Sequence, residues 1–176
     1  SILVNIANFN LLESNELQSL KNILFAGEVM PAKQIKYWLK HHKNAMYVNL
    51  YGPTEITVDC TYYIVPPAWD GDDLPIGIPC SNTEILILDE QNNKSTFGEL
   101  CVKGSCLALG YWADFYKTSK VFIQNPLNDK YIDLIYKTGD IVEFKNQLIY
   151  YKGRKDHQIK HNGYRIELGE IESAAL

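Results

Sequence analysis

Apolar positions in the first third of the chain alternate between the period of a strand and that of a helix. In "LQSLKNILFAGE" the apolar run at residues 23–26 stands before a glycine, which predicts a short buried strand. "MPAKQIKYWLKHH" then puts Ile35, Trp38 and Leu39 on one helical face, with Pro31 in the first turn. "AMYVNLYGPTE" returns to a strand that ends at a Gly-Pro turn. Strand, helix, strand in this order predicts a parallel sheet, whose ligand crevice lies at the carboxyl ends of the strands.

The texture then changes. "VPPAWDGDDLPIGIPC" carries enough proline and glycine to predict a linker or a long loop. After it, "TEILILDE", "GELCVKG", "DIVEF" and "QLIYYKG" are short, apolar and punctuated by turn residues, which predicts a small antiparallel sheet or barrel. "YKTSKVF" is the helix expected between these strands. In the last stretch, "YRIELGEIESAAL", Ile166, Leu168, Ile171 and Ala175 can share a helical face. That pattern stops without a helix-ending signal and the chain starts without Met, so it is expected to be an internal part of something longer.

Composition narrows the function. A chain of 176 residues can bury a real core. Its net charge of −4 argues against a polynucleotide groove and leaves a single nucleotide open. Cys60, Cys80, Cys101 and Cys106 form no metal-site spacing, which suits small buried hydrophobes in a reducing, cytoplasmic compartment. No stretch nears the roughly 20 apolar residues of a membrane span, and the start lacks the basic flank of a signal peptide.

The chemistry concentrates in a few stretches. In "NLYGPTE", Gly52 and Pro53 let backbone approach a ligand, and Tyr51 offers a flat face for a base. Asn49 carries an amide that can read an adenine edge, Thr54 can donate to a phosphate, and Glu55 is a hard oxygen ligand for magnesium. A plain β-turn with an incidental carboxylate is the alternative. "YKTGD" sets Asp140 beside a tight turn, as a pair of ribose hydroxyls or an ordinary hairpin would require. "FGELCVKGSCLALGYW" alone says only barrel, and the charges of "GRKDHQIKHNGYRIELGEIE" taken singly suit a solvated face.

Together, in this order, these stretches resemble the adenylate-forming (AMP-binding) ligases, and within them the amino-acid-activating branch: adenylation domains of non-ribosomal peptide synthetases and D-alanine–carrier protein ligases. The resemblance runs from "NILFAGEVMP" to "RIELGEIE". It implies an α/β fold in three parts: a piece of a parallel-sheet nucleotide- and acyl-binding subdomain over residues 1–66, a small antiparallel β-barrel subdomain over 67–152, and a hinge with the start of a small C-terminal α+β domain over 153–176. It also implies a reaction of ATP with a carboxylate to give an acyl-adenylate and pyrophosphate, followed by transfer to the phosphopantetheine thiol of a carrier protein. An acyl- or aryl-CoA ligase of the same superfamily and a non-catalytic nucleotide-binding module are the alternatives.

Carried over by motif, Asn49 would contact the adenine amino group, Tyr51 would stack beside the ring, and Gly52 would let the backbone close in. Thr54 would bind the α-phosphate and Glu55 the Mg2+; these two are the expected catalytic residues. Asp140 would hold the ribose, with Arg154 reaching ribose or phosphate. Leu24, Ala26, Leu50, Val58 and Asp59 would line the acyl pocket, with Asp59 facing a cationic or polar side chain or else turned away. Asp156 would be the hinge and Gly163 would line the thiol channel. Two departures from the family pattern stand out: Leu109 replaces its usual Arg or Lys, and neither its phosphate loop nor its substrate-bridging lysine is present.

Overall fold

The computed structural model describes residues 2–12, 17, 19–156, 158–161, 164–166, 171 and 174–175. A first helix, α1 (Ile2–Asn8), precedes β1 (Asn22–Phe25), α2 (Ala32–His41) and β2 (Met46–Tyr51). β1 and β2 pair in parallel, Leu24 opposite Val48, as the strand-helix-strand order predicts. β3 (Thr61–Val65) adds antiparallel to β2, and the two-residue β4 (Ile78–Pro79) adds to β3, so the sheet is mixed. Pro31 stands one position before α2, where its fixed φ of −67° suits the entry and its carbonyl accepts from the Gln34 and Ile35 amides.

α1 and α2 cover one face of this sheet. Ile35 and Trp38 are fully buried against Ile23, Phe25, Tyr47 and Val65. The Trp38 indole donates to the Leu3 carbonyl at 2.9 Å, and the Tyr47 hydroxyl donates to the His42 carbonyl at 2.8 Å, so both large rings place their polar ends. The expected buried run at residues 23–26 is corrected. β1 is an edge strand whose burial alternates, so Leu24 is 57% exposed, and Ala26 lies beyond the strand and is exposed. α1 escaped the sequence reading altogether.

The second sheet is antiparallel throughout. β5 (Thr83–Leu88) pairs with β6 (Phe97–Gly104), β6 with β8 (Leu134–Lys145), and β8 with both β7 (Phe122–Gln124) and β9 (Leu148–Arg154). α3 (Phe115–Val121) fills the gap before β7, one residue earlier than predicted at each end. Asp114 caps α3, its carboxylate accepting from the Lys117 amide at 2.8 Å.

The proline-rich stretch belongs to this packing. Leu74 and Ile76 are buried, the Ile76 amide donates to the Ile149 carbonyl at 2.9 Å, and Ile149 donates back to Gly77. Gly77, at φ +89°, sits so close to Tyr62 of β3 that a Cβ would overlap its carbonyl, so only glycine lets the first sheet and β9 meet there. One apolar cluster accordingly runs from Tyr51, Ile56 and Cys60 through Ile76 to Leu100, Val142 and Ile149. Of the four free cysteines, Cys60 and Cys101 are buried and Cys80 and Cys106 half-buried. Among the described residues, no helix is long and apolar enough to cross a membrane.

β10 (Ile159–His161) pairs antiparallel with β11 (Tyr164–Ile166) beyond β9. Ile166 is therefore in a strand, which corrects its place on the expected helical face, whereas Ile171 and Ala175 are helical as expected. Leu168 and Gly163 lie outside the described residues.

Candidate functional site

β2 delivers Asn49, Leu50 and Tyr51 to its carboxyl end, where Gly52 and Pro53 break the strand and a 3-10 turn (Thr54–Ile56) follows. Thr57 and Val58 then take φ of +60° and +81°. Two successive β-branched residues in the left-handed region cost about 1–3 kcal/mol each, a strain that concentrates at functional sites. The turn is held by the Thr57 hydroxyl donating to the Cys106 carbonyl at 2.8 Å and by the Ala108 amide donating to the Glu55 carbonyl at 2.8 Å. A Cβ at Gly52 would overlap the Val58 carbonyl and stand 2.8 Å from Asp59 Cα, so glycine is needed for the chain to fold back on itself.

This end of β2 opens on a cavity of about 690 Å³. Of the residues singled out by sequence, Asn49, Leu50, Tyr51, Gly52, Arg154 and Asp156 line it. The segment 27–30 after β1, residues Asp73, Leu74 and Ile76, Tyr151 of β9 and Gln158 also line it and were not anticipated. The signal for 27–30 was available: the segment follows the other parallel strand at its carboxyl end.

Asn49 is buried, and its Nδ2 donates to the Pro75 carbonyl at 2.8 Å. One of its two amide hydrogens is thus taken by the protein, and its Oδ1 can accept from a base. The Tyr51 hydroxyl donates to Asp140 Oδ2, while Arg154 Nη1 donates to Asp140 Oδ1 at 3.0 Å. Asp140 and Arg154 are cross-strand partners on β8 and β9. Asp140 stands behind the cavity wall, 3% exposed. The remaining fork of Arg154 grips Asp156, Nε to Oδ1 at 2.6 Å and Nη2 to Oδ2 at 2.7 Å. Burial first, then the Asp140 charge, pushes the Tyr51 hydroxyl well above its ordinary range, so it stays a donor. The Arg154 hydrogen bond holds Asp156 below the usual carboxylate range.

"YKTGD" is corrected: it is no turn but the middle of β8. There three residues of β8, 138–140, answer Leu100 of β6, and Gly139 takes φ +75°. The Thr138 hydroxyl donates to the Leu100 carbonyl and accepts the Asp140 amide, which aims the carboxylate at Tyr51.

The other predicted residues stand apart from the cavity lining. Thr54 is exposed on the 3-10 turn. Glu55 is buried and accepts the Tyr111 hydroxyl at 2.7 Å. Val58 is 64% exposed, and Leu24 and Ala26 are exposed at the edge of the sheet. Asp59 has a buried Oδ1 with no hydrogen-bond partner, and burial raises its pKa. Leu109 is fully exposed. Among the described residues no group of three or more His, Cys, Asp or Glu gathers as a metal site. A magnesium ion carried on nucleotide phosphates needs only one or two protein carboxylates, which a single Glu55 fits.

Comparison with known proteins identifies the family. Residues 1–112 match the family described as AMP-binding enzyme. The chain is 39% identical over 173 residues to zwittermicin A synthase ZmaJ of Bacillus cereus, covering 93% of this chain and 32% of that protein. It is 37% identical to the L-proline–[L-prolyl-carrier protein] ligase of Streptomyces coelicolor, covering 90% of this chain and 30% of that one. The solved Vibrio cholerae adenylation domain AlmE, in complex with glycyl-adenosine-5'-phosphate, superposes with a TM-score of 0.85 at 30% identity, covering 98% of this chain and 33% of that domain's. The chain spans between 2% and 32% of the lengths of the first curated relatives it matches.

Proposed function

The chain belongs to the AMP-binding enzyme family, and on that premise we propose that it is the nucleotide-binding part of an ATP-dependent acid–thiol ligase. The enzyme activates an amino-acid carboxylate as its adenylate, releases pyrophosphate, and passes the acyl group to the phosphopantetheine thiol of a carrier protein. The observation that carries this reading is the chain of contacts Tyr51–Asp140–Arg154 at the wall of a cavity floored by Asn49.

Asn49 Oδ1 accepts from the adenine amino group, and Tyr51 lies along the ring. Asp140 and Arg154 take the ribose, Thr54 takes the α-phosphate, and Glu55 holds Mg2+. The magnesium ion, when bound, screens the repulsion between carboxylate and phosphate and steadies the departing pyrophosphate. No general base is required, because the attacking carboxylate is already ionised at neutral pH.

Leu24, Ala26, Leu50, Val58 and Asp59 face the acyl substrate. The unpartnered Asp59 Oδ1 supports a donor on that substrate's side chain. Asp156 is the hinge between residues 67–152, the barrel part after 1–66, and the small domain begun at 153–176; Gly163 serves the thiol channel. Its clamp on Arg154 gives the hinge a direct link to the nucleotide. Four free cysteines suit a cytoplasmic setting.

The test is exchange of pyrophosphate into ATP by the full-length protein over an amino-acid panel, together with adenosine binding by the parent and Asn49→Ala. The reading expects exchange with at least one amino acid and weakened adenosine binding in the variant. No exchange with any carboxylate, and adenosine affinity unaffected by the change, would overturn it.

A further inference from the structure

A second groove, of about 580 Å³, shares Arg154, Asp156 and Gln158 with the first cavity. Among the described residues five cations line it, Lys117, Lys120, Lys137, Arg154 and Lys155, against two carboxylates, Glu99 and Asp156. Such an excess is notable in a chain of net charge −4.

Part of the charge is spent internally: Lys137 and Lys155 share Glu99 at 3.2 and 3.8 Å, and Arg154 holds Asp156. Lys117 and Lys120 have no carboxylate within ion-pair distance among the described residues. Each ammonium instead rests over a tyrosine ring, Lys117 over Tyr111 at 5.3 Å and Lys120 over Tyr116 at 3.9 Å. Three residues apart on α3, they share a side of that helix. Tyr111, also in the groove wall, donates its hydroxyl to Glu55, so the groove adjoins the carboxylate assigned to magnesium.

We propose that this groove is a phosphate subsite: Lys117 and Lys120 supply the attraction for a phosphate group that has passed Arg154 or is about to meet it. The inference rests on the nucleotide reading of the first cavity only for the source of the phosphate. Lysine ammoniums act on phosphate as point charges, without the fixed geometry of a guanidinium, which suits a group in transit. Two sources share this chemistry: the pyrophosphate split from the nucleotide, and the phosphate ester of a phosphopantetheine acceptor.

The experiment titrates inorganic pyrophosphate into the full-length parent and into Lys117→Glu/Lys120→Glu, with adenosine as the phosphate-free control. Reversing two solvent-facing charges is expected to weaken pyrophosphate binding about ten-fold or more. Adenosine binding stays as in the parent. A parallel measurement compares KM for phosphopantetheine-bearing and unphosphorylated pantetheine acceptors. A raised KM confined to the phosphorylated acceptor, with pyrophosphate binding unchanged, assigns the groove to the acceptor instead. Lys117→Gln/Lys120→Gln repeats both measurements should the reversal fail to fold, and unchanged pyrophosphate affinity and acceptor KM in a folded variant overturn the proposal. If adenosine binds neither parent nor variant, the nucleotide reading falls, and the pyrophosphate titration still decides the groove.

Discussion

Asp140→Ala isolates the contact on which the site depends. Asp140 is 3% exposed and accepts from two side chains on different elements, Tyr51 of β2 and Arg154 of β9. Truncation strands the buried Tyr51 hydroxyl, a loss of about 1–3 kcal/mol for an unsatisfied donor. Arg154 gives up one charge-assisted bond, about 1.5–3 kcal/mol, eased because Asp156 still engages its Nε and Nη2. The expected destabilisation is about 3–5 kcal/mol, a large share of a typical domain's stability. Urea unfolding monitored by tyrosine and tryptophan fluorescence measures it, with an unchanged m-value required for the comparison. Asp140→Asn, which keeps an acceptor for Tyr51, should cost about half as much. A loss below about 1 kcal/mol in the alanine variant would mean that Asp140 does not join the two sheets. In the full-length enzyme the same change should weaken ATP binding while sparing the amino acid.

Three further outcomes follow from the same packing. Burial holds the Tyr47 hydroxyl up to about 12, against 10.0 when free, and burial with the Asp140 charge pushes Tyr51 well above 10.0. These groups keep their protons in the fold while the unfolded chain loses them, so stability holds below about pH 10 and falls as pH rises towards 12; a flat urea midpoint across that window would contradict this. Gly52→Ala should cost about 1–3 kcal/mol by driving a methyl into the Val58 carbonyl, and an unaltered melting temperature would refute the close approach. Asp59→Ala should shift the full-length enzyme's exchange profile towards apolar amino acids, since a carboxylate left unpaired by the wrong substrate discriminates against it; an unchanged ranking would place Asp59 outside the pocket.

Elements whose cause is local were legible in the sequence. The α2 face of Ile35, Trp38 and Leu39, the β1–α2–β2 order, and the short strands after the proline-rich stretch needed only periodicity and turn residues. What escaped depends on distant partners. Leu24 looks as apolar as Ile23, but only one face of the edge strand has helices over it. Gly139 and Asp140 have the composition of a turn, and only pairing with β6 and β9 makes them a bulge inside a strand. Tyr111 carries no local sign that its hydroxyl will reach Glu55. The loop residues Leu74 and Ile76 could be placed at the cavity only once β9 was in position.

The staple between Ile76, Gly77 and Ile149 also bears on how the chain acquires its shape. The apolar cluster that supports Tyr51 and Ile56 takes Ile149 of β9 as a member, and β9 lies far along the chain from β2. The turn that follows Gly52 and Pro53, with Thr57 and Val58 in the left-handed region, therefore has its full support only when β9 has paired. It waits until β9 arrives to close a long loop, and closures between remote segments are the slow steps of folding. The cavity is in this sense a late product: α1, α2 and β1–β3 can collapse on local contacts within microseconds to milliseconds, whereas Asn49, Tyr51 and Arg154 come into one wall only once β9 has paired.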